Sequence, residues 1–122
     1  MSNPNIAAAT SILGGTAYGS VTSSLAPVVT NAASSNTIIK VNTLIIINKT
    51  GASAADVTAQ IQTASGGSPT DICINITVPA KSNLVLISKD ISFYLLEDRR
   101  ISVVCAASAT SLNYFVSYET IS

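Results

Sequence analysis

The chain has 122 residues, 48% apolar but only 5% aromatic, and six basic side chains balance six acidic ones at a formal charge of zero. It contains neither histidine nor tryptophan. These figures exclude the basic field that sequence-independent nucleic-acid binding needs, remove the commonest acid–base group of enzymes, and leave a core that must be built from Ile, Val, Leu and Ala.

A chain of this size fits one domain, able to bury roughly two thirds of its extended surface. No apolar run reaches the length of a membrane span. The start, MSNPNIAAATSILGG, lacks the basic residues of a secretory signal and is expected to stay on. Residues 1–36 form a first region without a charged side chain, rich in Ala, Ser, Thr and Gly. Extended pieces are expected near residues 8–13, 16–21 and 27–31. They belong either to the first strands of the domain or to an arm that docks on a neighbouring subunit, because an uncharged apolar segment left free is a liability.

Over residues 37–122 the alternation sharpens. In 37–48, Ile39, Val41, Ile45 and Ile47 are expected on one face, with Leu44 and Ile46 making the other face apolar too. A strand apolar on both sides is central, or is covered by the arm or a partner. Residues 55–63 alternate with Val57, Ala59 and Ile61 inward, after a turn at 49–53. A Gly-rich loop at 65–69 leads to a strand at 71–78 that Pro79 stops. Strands at 84–88 and 91–96 follow, then the charged loop Glu97-Asp98-Arg99-Arg100, a strand at 101–107, a turn at 108–111 and a last strand at 112–121 carrying Leu112, Tyr114, Val116 and Tyr118 on one face. Short strands spaced about ten residues apart, without an amphipathic helix, predict an all-β fold: an antiparallel β-sandwich or jelly roll with an extended or strand-forming N-terminal segment.

Candidate chemistry is sparse. Without histidine, acid–base work falls to Asp56, Asp71, Asp90, Glu97, Asp98 or Glu119. Asp90 with Glu97 or Asp98 offers a carboxylate pair for glycoside hydrolysis or a calcium loop, against the simpler reading of solvated turn residues balanced by Arg99 and Arg100. The pairs Lys81-Ser82 and Ser88-Lys89 are sequence neighbours whose side chains diverge on a strand. Gly14-Gly15 and Gly66-Gly67 fit no phosphate loop. Alternation sets Cys105 on an apolar face and Cys73 on a polar one with Asp71 and Asn75, so an internal disulfide is not expected and two thiols made in a reducing cytoplasm are. Tyr94, Tyr114 and Tyr118, with Phe93 and Phe115, offer either a sugar-stacking platform or core packing. No catalytic residue, cofactor or metal ligand is assigned, and the chain is expected not to be an enzyme. Leu44, Ile46, Tyr114 and Tyr118 are the candidate interface residues.

One resemblance adds to this reading. The run Val78-Pro79-Ala80-Lys81-Ser82-Asn83-Leu84-Val85-Leu86-Ile87-Ser88-Lys89-Asp90, then Tyr94-Leu95, then Val116-Ser117-Tyr118-Glu119, together with Ile45-Ile46-Ile47-Asn48, resembles small virion structural proteins of tailed phages, particularly those infecting cyanobacteria. Such relatives often have a glycine-containing acidic turn after the Tyr-Leu strand, whereas Leu96-Glu97-Asp98-Arg99-Arg100 has none. The resemblance implies a non-enzymatic particle component, made in the host cytoplasm and resident in the virion. The leading expectation is a capsid decoration or cement protein that bridges the major capsid protein, as a homo-oligomer and without nucleic acid or membrane. A tail, neck or fibre-associated module and a glycan-binding sandwich are the alternatives.

Overall fold

The computed structural model describes residues 6–49, 53–106 and 112–122, with the side chains of Ile6 and Lys89 left aside. The expected turn at 108–111 and the middle of the one at 49–53 lie outside the described residues. Among the described residues nine strands form: β1 Ile12–Val21, β2 Ala26–Asn31, β3 Ile38–Asn48, β4 Ala55–Thr63, β5 Thr70–Val78, β6 Asn83–Ile87, β7 Phe93–Leu95, β8 Arg99–Cys105 and β9 Leu112–Ile121. Short 3-10 turns at Ile6–Ala8 and Lys89–Ile91 are the other regular elements described.

The strands make an antiparallel β-sandwich. Sheet I has the order β1-β9-β3-β6, with β7 pairing β3 beside β6, and sheet II has the order β2-β8-β4-β5. The chain crosses repeatedly between layers, with β1, β3, β6, β7 and β9 in one and β2, β4, β5 and β8 in the other, which is jelly-roll topology. Residues 12–31 thus supply the first strand of each sheet. Gly14, Gly15 and Gly19 leave β1 unbroken, because each takes a regular place in the ladder to β9.

Val41, Leu44, Ile46, Val57, Ala59, Leu95, Ile101, Val103, Leu112 and Val116 fill the space between the layers. Leu44 and Ile46 are 0% exposed, which corrects their assignment to an interface. The cause is a β-bulge: Val41 pairs Tyr118 and Thr43 pairs Ser117, so Asn42 is an extra residue. One inserted residue reverses the parity of everything after it. Ile39 and Val41 point inward as expected. Beyond the bulge Leu44 and Ile46 do so, and Ile45 and Ile47 turn outward.

The same effect reorients β5. Asn75 takes φ 47° and the β4–β5 register shifts around Ala59. Cys73 therefore packs against the core while Ile74 is 58% exposed, the reverse of the expected faces. Asn tolerates the left-handed region better than most residues, which makes it a natural bulge residue.

Two buried asparagines tie the layers together. Asn31 at the end of β2 donates from Nδ2 to Leu95 O of β7 (3.0 Å) and to Thr37 O (3.0 Å). Asn48 at the end of β3 donates to Val78 O of β5 (2.9 Å) and to Ser53 O (3.1 Å). Each satisfies backbone carbonyls where a strand ends and the ladder no longer can.

Candidate interaction surface

The acidic residues do not converge. Asp56 accepts from Thr77 Oγ1 at 2.7 Å, Asp71 from Gln60 Nε2 at 2.9 Å, and Glu119 from Asn42 Nδ2 at 3.2 Å. Asp56 and Asp71 sit on sheet II and Glu119 on sheet I. Asp90 lies exposed in the second 3-10 turn. Glu97 is buried, not solvated as the turn reading expects, while Asp98 pairs loosely with Arg99 at 3.8 Å. Arg100 turns away to Gln62 Oε1 and Ala64 O. The turn that lacks glycine closes by placing Asp98 at φ 58°, a conformation aspartate can hold. Among the described residues no three metal-ligating side chains come together. A groove of about 340 Å³ lined by Ile61, Gln62, Tyr94, Leu96 and Arg99, among others, carries no carboxylate to act as a base.

The thiols are both turned inward, but they lie on opposite sides of β4. Cys73 pairs Ala59 and Cys105 pairs Val57. Two strand spacings of about 4.8 Å separate them, beyond the roughly 7 Å a disulfide can span. Cys73 Sγ donates to Val57 O and Cys105 Sγ to Val21 O. Burial pushes both thiols above the usual range, with the Asp71 charge a smaller contribution at Cys73.

Tyr114 and Tyr118 also face inward. Tyr118 lies opposite Gly15 and Tyr114 opposite Gly19 on β1. A Cβ at Gly15 would stand 2.8 Å from the Tyr118 ring, and one at Gly19 would stand 3.2 Å from Tyr114. The rings fill the space the glycines leave, so these tyrosines belong to the packing of the β1–β9 pair. This corrects their placement at an interface and removes them from a sugar-stacking platform.

What lies outside differs between the layers. Apart from Ile74 at the β5 edge, the outer face of sheet II is polar and bonded across its strands, with Gln60 to Asp71, Thr58 Oγ1 to Asn75 (3.3 Å), Thr77 to Asp56 and Arg100 to Gln62. On sheet I the register aligns Tyr18 of β1, Phe115 of β9, Ile45 of β3 and Val85 of β6 in one row. Tyr18 is 70% exposed, Val85 52% and Phe115 44%. The Tyr18 and Phe115 rings stack at 5.5 Å with 26° between planes. The sequence reading misses this row because parity breaks at Asn42, and because Tyr18 stands alone among small residues.

The edges differ as well. Strand β2 is six residues long, contains Pro27 and bulges after it. Strand β5 is bent at Asn75, and β6 and β7 are five and three residues long. Proline, bulges and shortness are the usual ways of blunting an edge. Strand β1 has none of them: it runs ten residues without a charge, a proline or a register shift.

No family model matches the chain, and neither does any curated protein. Among solved structures it is similar to a chain from Bacillus endospore appendages, described as a novel family of disulfide-linked pili. The two are 15% identical with a TM-score of 0.54, over 100% of this chain and 96% of that one. At that identity the likeness concerns the fold, which matches from end to end.

Proposed function

We propose that this chain is a non-enzymatic structural subunit of a phage particle, a decoration or cement protein that sits on the capsid and bridges its major capsid protein. The observation that carries the structural part is the pairing of an unblocked ten-residue edge with an apolar outer row on sheet I. Monomeric proteins seldom leave both uncovered. The Ser, Thr and Asn around them lose little on desolvation compared with charged groups, so extended contact is inexpensive. The phage assignment rests on the strand–turn–strand resemblance through Val78–Asp90 and Val116–Glu119.

Quantitative mass spectrometry of purified particles tests it. A copy number near one per capsid subunit, or per small fixed group of subunits, supports decoration. A handful of copies moves the protein to the tail, neck or fibre, and absence from particles overturns the virion reading. Particles lacking the protein should also be less resistant to heat and dilution.

A filament subunit is the second reading. The end-to-end fold likeness to a pilus chain favours it. Negative-stain microscopy of the purified chain separates the two, because a filament subunit polymerises without any capsid. A glycan-binding role would fall to the exposed Tyr94 and Phe115, since Tyr114 and Tyr118 are turned inward.

A further inference from the structure

We infer that the outer face of sheet I is a two-fold interface, and that its partner is a second copy of this chain. The inference deepens the structural-subunit reading by naming a partner, and it rests on that reading only for its purpose.

The two halves of this face are complementary across four strands in the order β1-β9-β3-β6/β7. The midline of this face runs between β9 and β3. Tyr18 and Phe115, the large members of the apolar row, lie on one side of it, and Ile45 and Val85, the small ones, lie on the other. A second row reads Gly14, Glu119, Lys40 and Tyr94. A two-fold axis along that midline exchanges the halves. Phe115 then faces Ile45 of the second copy and Tyr18 faces Val85. In the second row Glu119 faces Lys40, and Tyr94 faces Gly14. The space above Gly14 is open, with nothing within 4 Å of where a Cβ would be. Each large group meets a small one and each charge meets its opposite. Between these rows Thr16, Ser117 and Thr43 supply short polar side chains that do not hold the sheets apart.

A two-fold axis along the row itself would lay Lys40 near Lys49 of the other copy, so charge selects the first arrangement. Aligned packing of twisted sheets crosses strands at roughly 30°, which tilts the axis about 15° from the strands without undoing the pairing near the centre. Four strands about 4.8 Å apart and ten residues at about 3.3 Å each give a face on the order of 600 Å² in plan. That approaches the roughly 800 Å² per partner of a specific interface. The polar, cross-bonded face of sheet II offers no equivalent.

Sedimentation equilibrium of the full chain tests the inference. A monomer–dimer equilibrium is expected. Phe115→Glu should weaken it by about 100-fold or more, since a charge would be buried at the interface centre. Circular dichroism should show the fold retained, because Phe115 faces outward. Glu119→Lys and Lys40→Glu should each weaken the dimer by about ten-fold, as each sets like charges opposite one another twice. The double exchange should return to within about three-fold of the natural chain. A chain that stays monomeric at hundreds of micromolar (on the order of a standard-size interface's weakest affinities) overturns the inference. So does a double exchange no better than the single changes, or a dimer indifferent to Phe115→Glu. A dimer broken instead by Thr16→Pro, which strikes the β1 edge, would also overturn it while leaving the structural-subunit reading standing.

Discussion

Replacing Asn31 by alanine probes how the two layers are held together. The side chain is 2% exposed and makes four hydrogen bonds. Nδ2 donates to Thr37 O and Leu95 O, and Oδ1 accepts from Ser35 Oγ at 2.6 Å and Thr37 Oγ1 at 3.1 Å. Hydroxyls can turn to other partners, but a carbonyl stripped of its donor in a buried site cannot. Counting about 1–3 kcal/mol for stranded buried acceptors and about 1 kcal/mol for the accepted bonds gives a loss of about 3 kcal/mol. A chain of this size has an unfolding entropy of about 0.25 kcal/mol/K, so the melting temperature should fall by about 12 °C. Asn31→Asp keeps the shape but sets carboxylate oxygen against two carbonyls, and should lose at least as much. Urea denaturation followed by circular dichroism measures both. A loss below about 1 kcal/mol for the alanine variant, or an aspartate variant as stable as the natural chain, would refute the role assigned to this amide. The equivalent change at Asn48, at the other end of the sandwich, should add to it independently.

Leu44→Ala should cost about 2–5 kcal/mol whereas Ile45→Ala costs much less, since the Asn42 bulge sends only the first into the core; chemical denaturation of the pair reads this directly, and equal losses would contradict the observed parity. Gly15→Val should destabilise by about 1–3 kcal/mol by driving a side chain into the Tyr118 ring, and Tyr118→Ala in the same chain should relieve part of that cost. The buried thiols set an alkaline limit. Because burial raises their values in the folded chain, it holds these protons more tightly than the unfolded chain does. The stability this contributes is fully present below about pH 8.5 and is lost as pH rises through the folded values. Urea midpoints should therefore be level from neutral pH to about 8 and fall above it, and Cys73→Ser with Cys105→Ala should flatten the decline; an unchanged slope would assign it to other groups.

The period-two alternation of residues 55–63 makes the inward face of β4 legible, and that of 112–121 shows which side chains of β9 share a face, because neither strand changes parity along the stretch that matters. The fold class follows from the same signal repeated along the chain. What could not be read were the insertions. Asn42 looks like any polar residue in an alternating run, yet as a bulge it exchanges Leu44 and Ile46 for Ile45 and Ile47 on the outer face. Asn75 does the same in β5 and carries Cys73 inward. Bulges are settled by how two strands pair, and a single strand's pattern does not contain that. Tyr114 and Tyr118 were visible as a stripe, but their direction depends on Gly19 and Gly15, about a hundred residues earlier in the chain and adjacent only after β1 pairs β9. Leu44, Ile46, Tyr114 and Tyr118 therefore face the core, where strand-by-strand alternation leaves their direction open.

In the proposed pair, the placement of charge is what would let so neutral a chain choose a partner. With six acids and six bases, it has too few charges to guard every edge and face. Three of the edges are blunted by backbone means instead: Pro27 and a bulge in β2, the left-handed Asn75 in β5, and the brevity of β6 and β7. That leaves β1 open along its length and sheet I apolar across its width, and these two surfaces meet at Tyr18, which belongs to both. On the face, Glu119 and Lys40 sit one to each side of the midline, so exchanging the halves sets each against the other, whereas an axis along the apolar row sets Lys40 against Lys49. A few charges placed this way reject wrong registers more effectively than they strengthen the right one. In the proposed pair the apolar row would supply affinity without having to supply specificity, and the β1 edge would stay available for a different contact. A subunit that closes a two-fold pair through one surface and keeps an edge for another has the two independent contacts from which an extended shell or filament can be built.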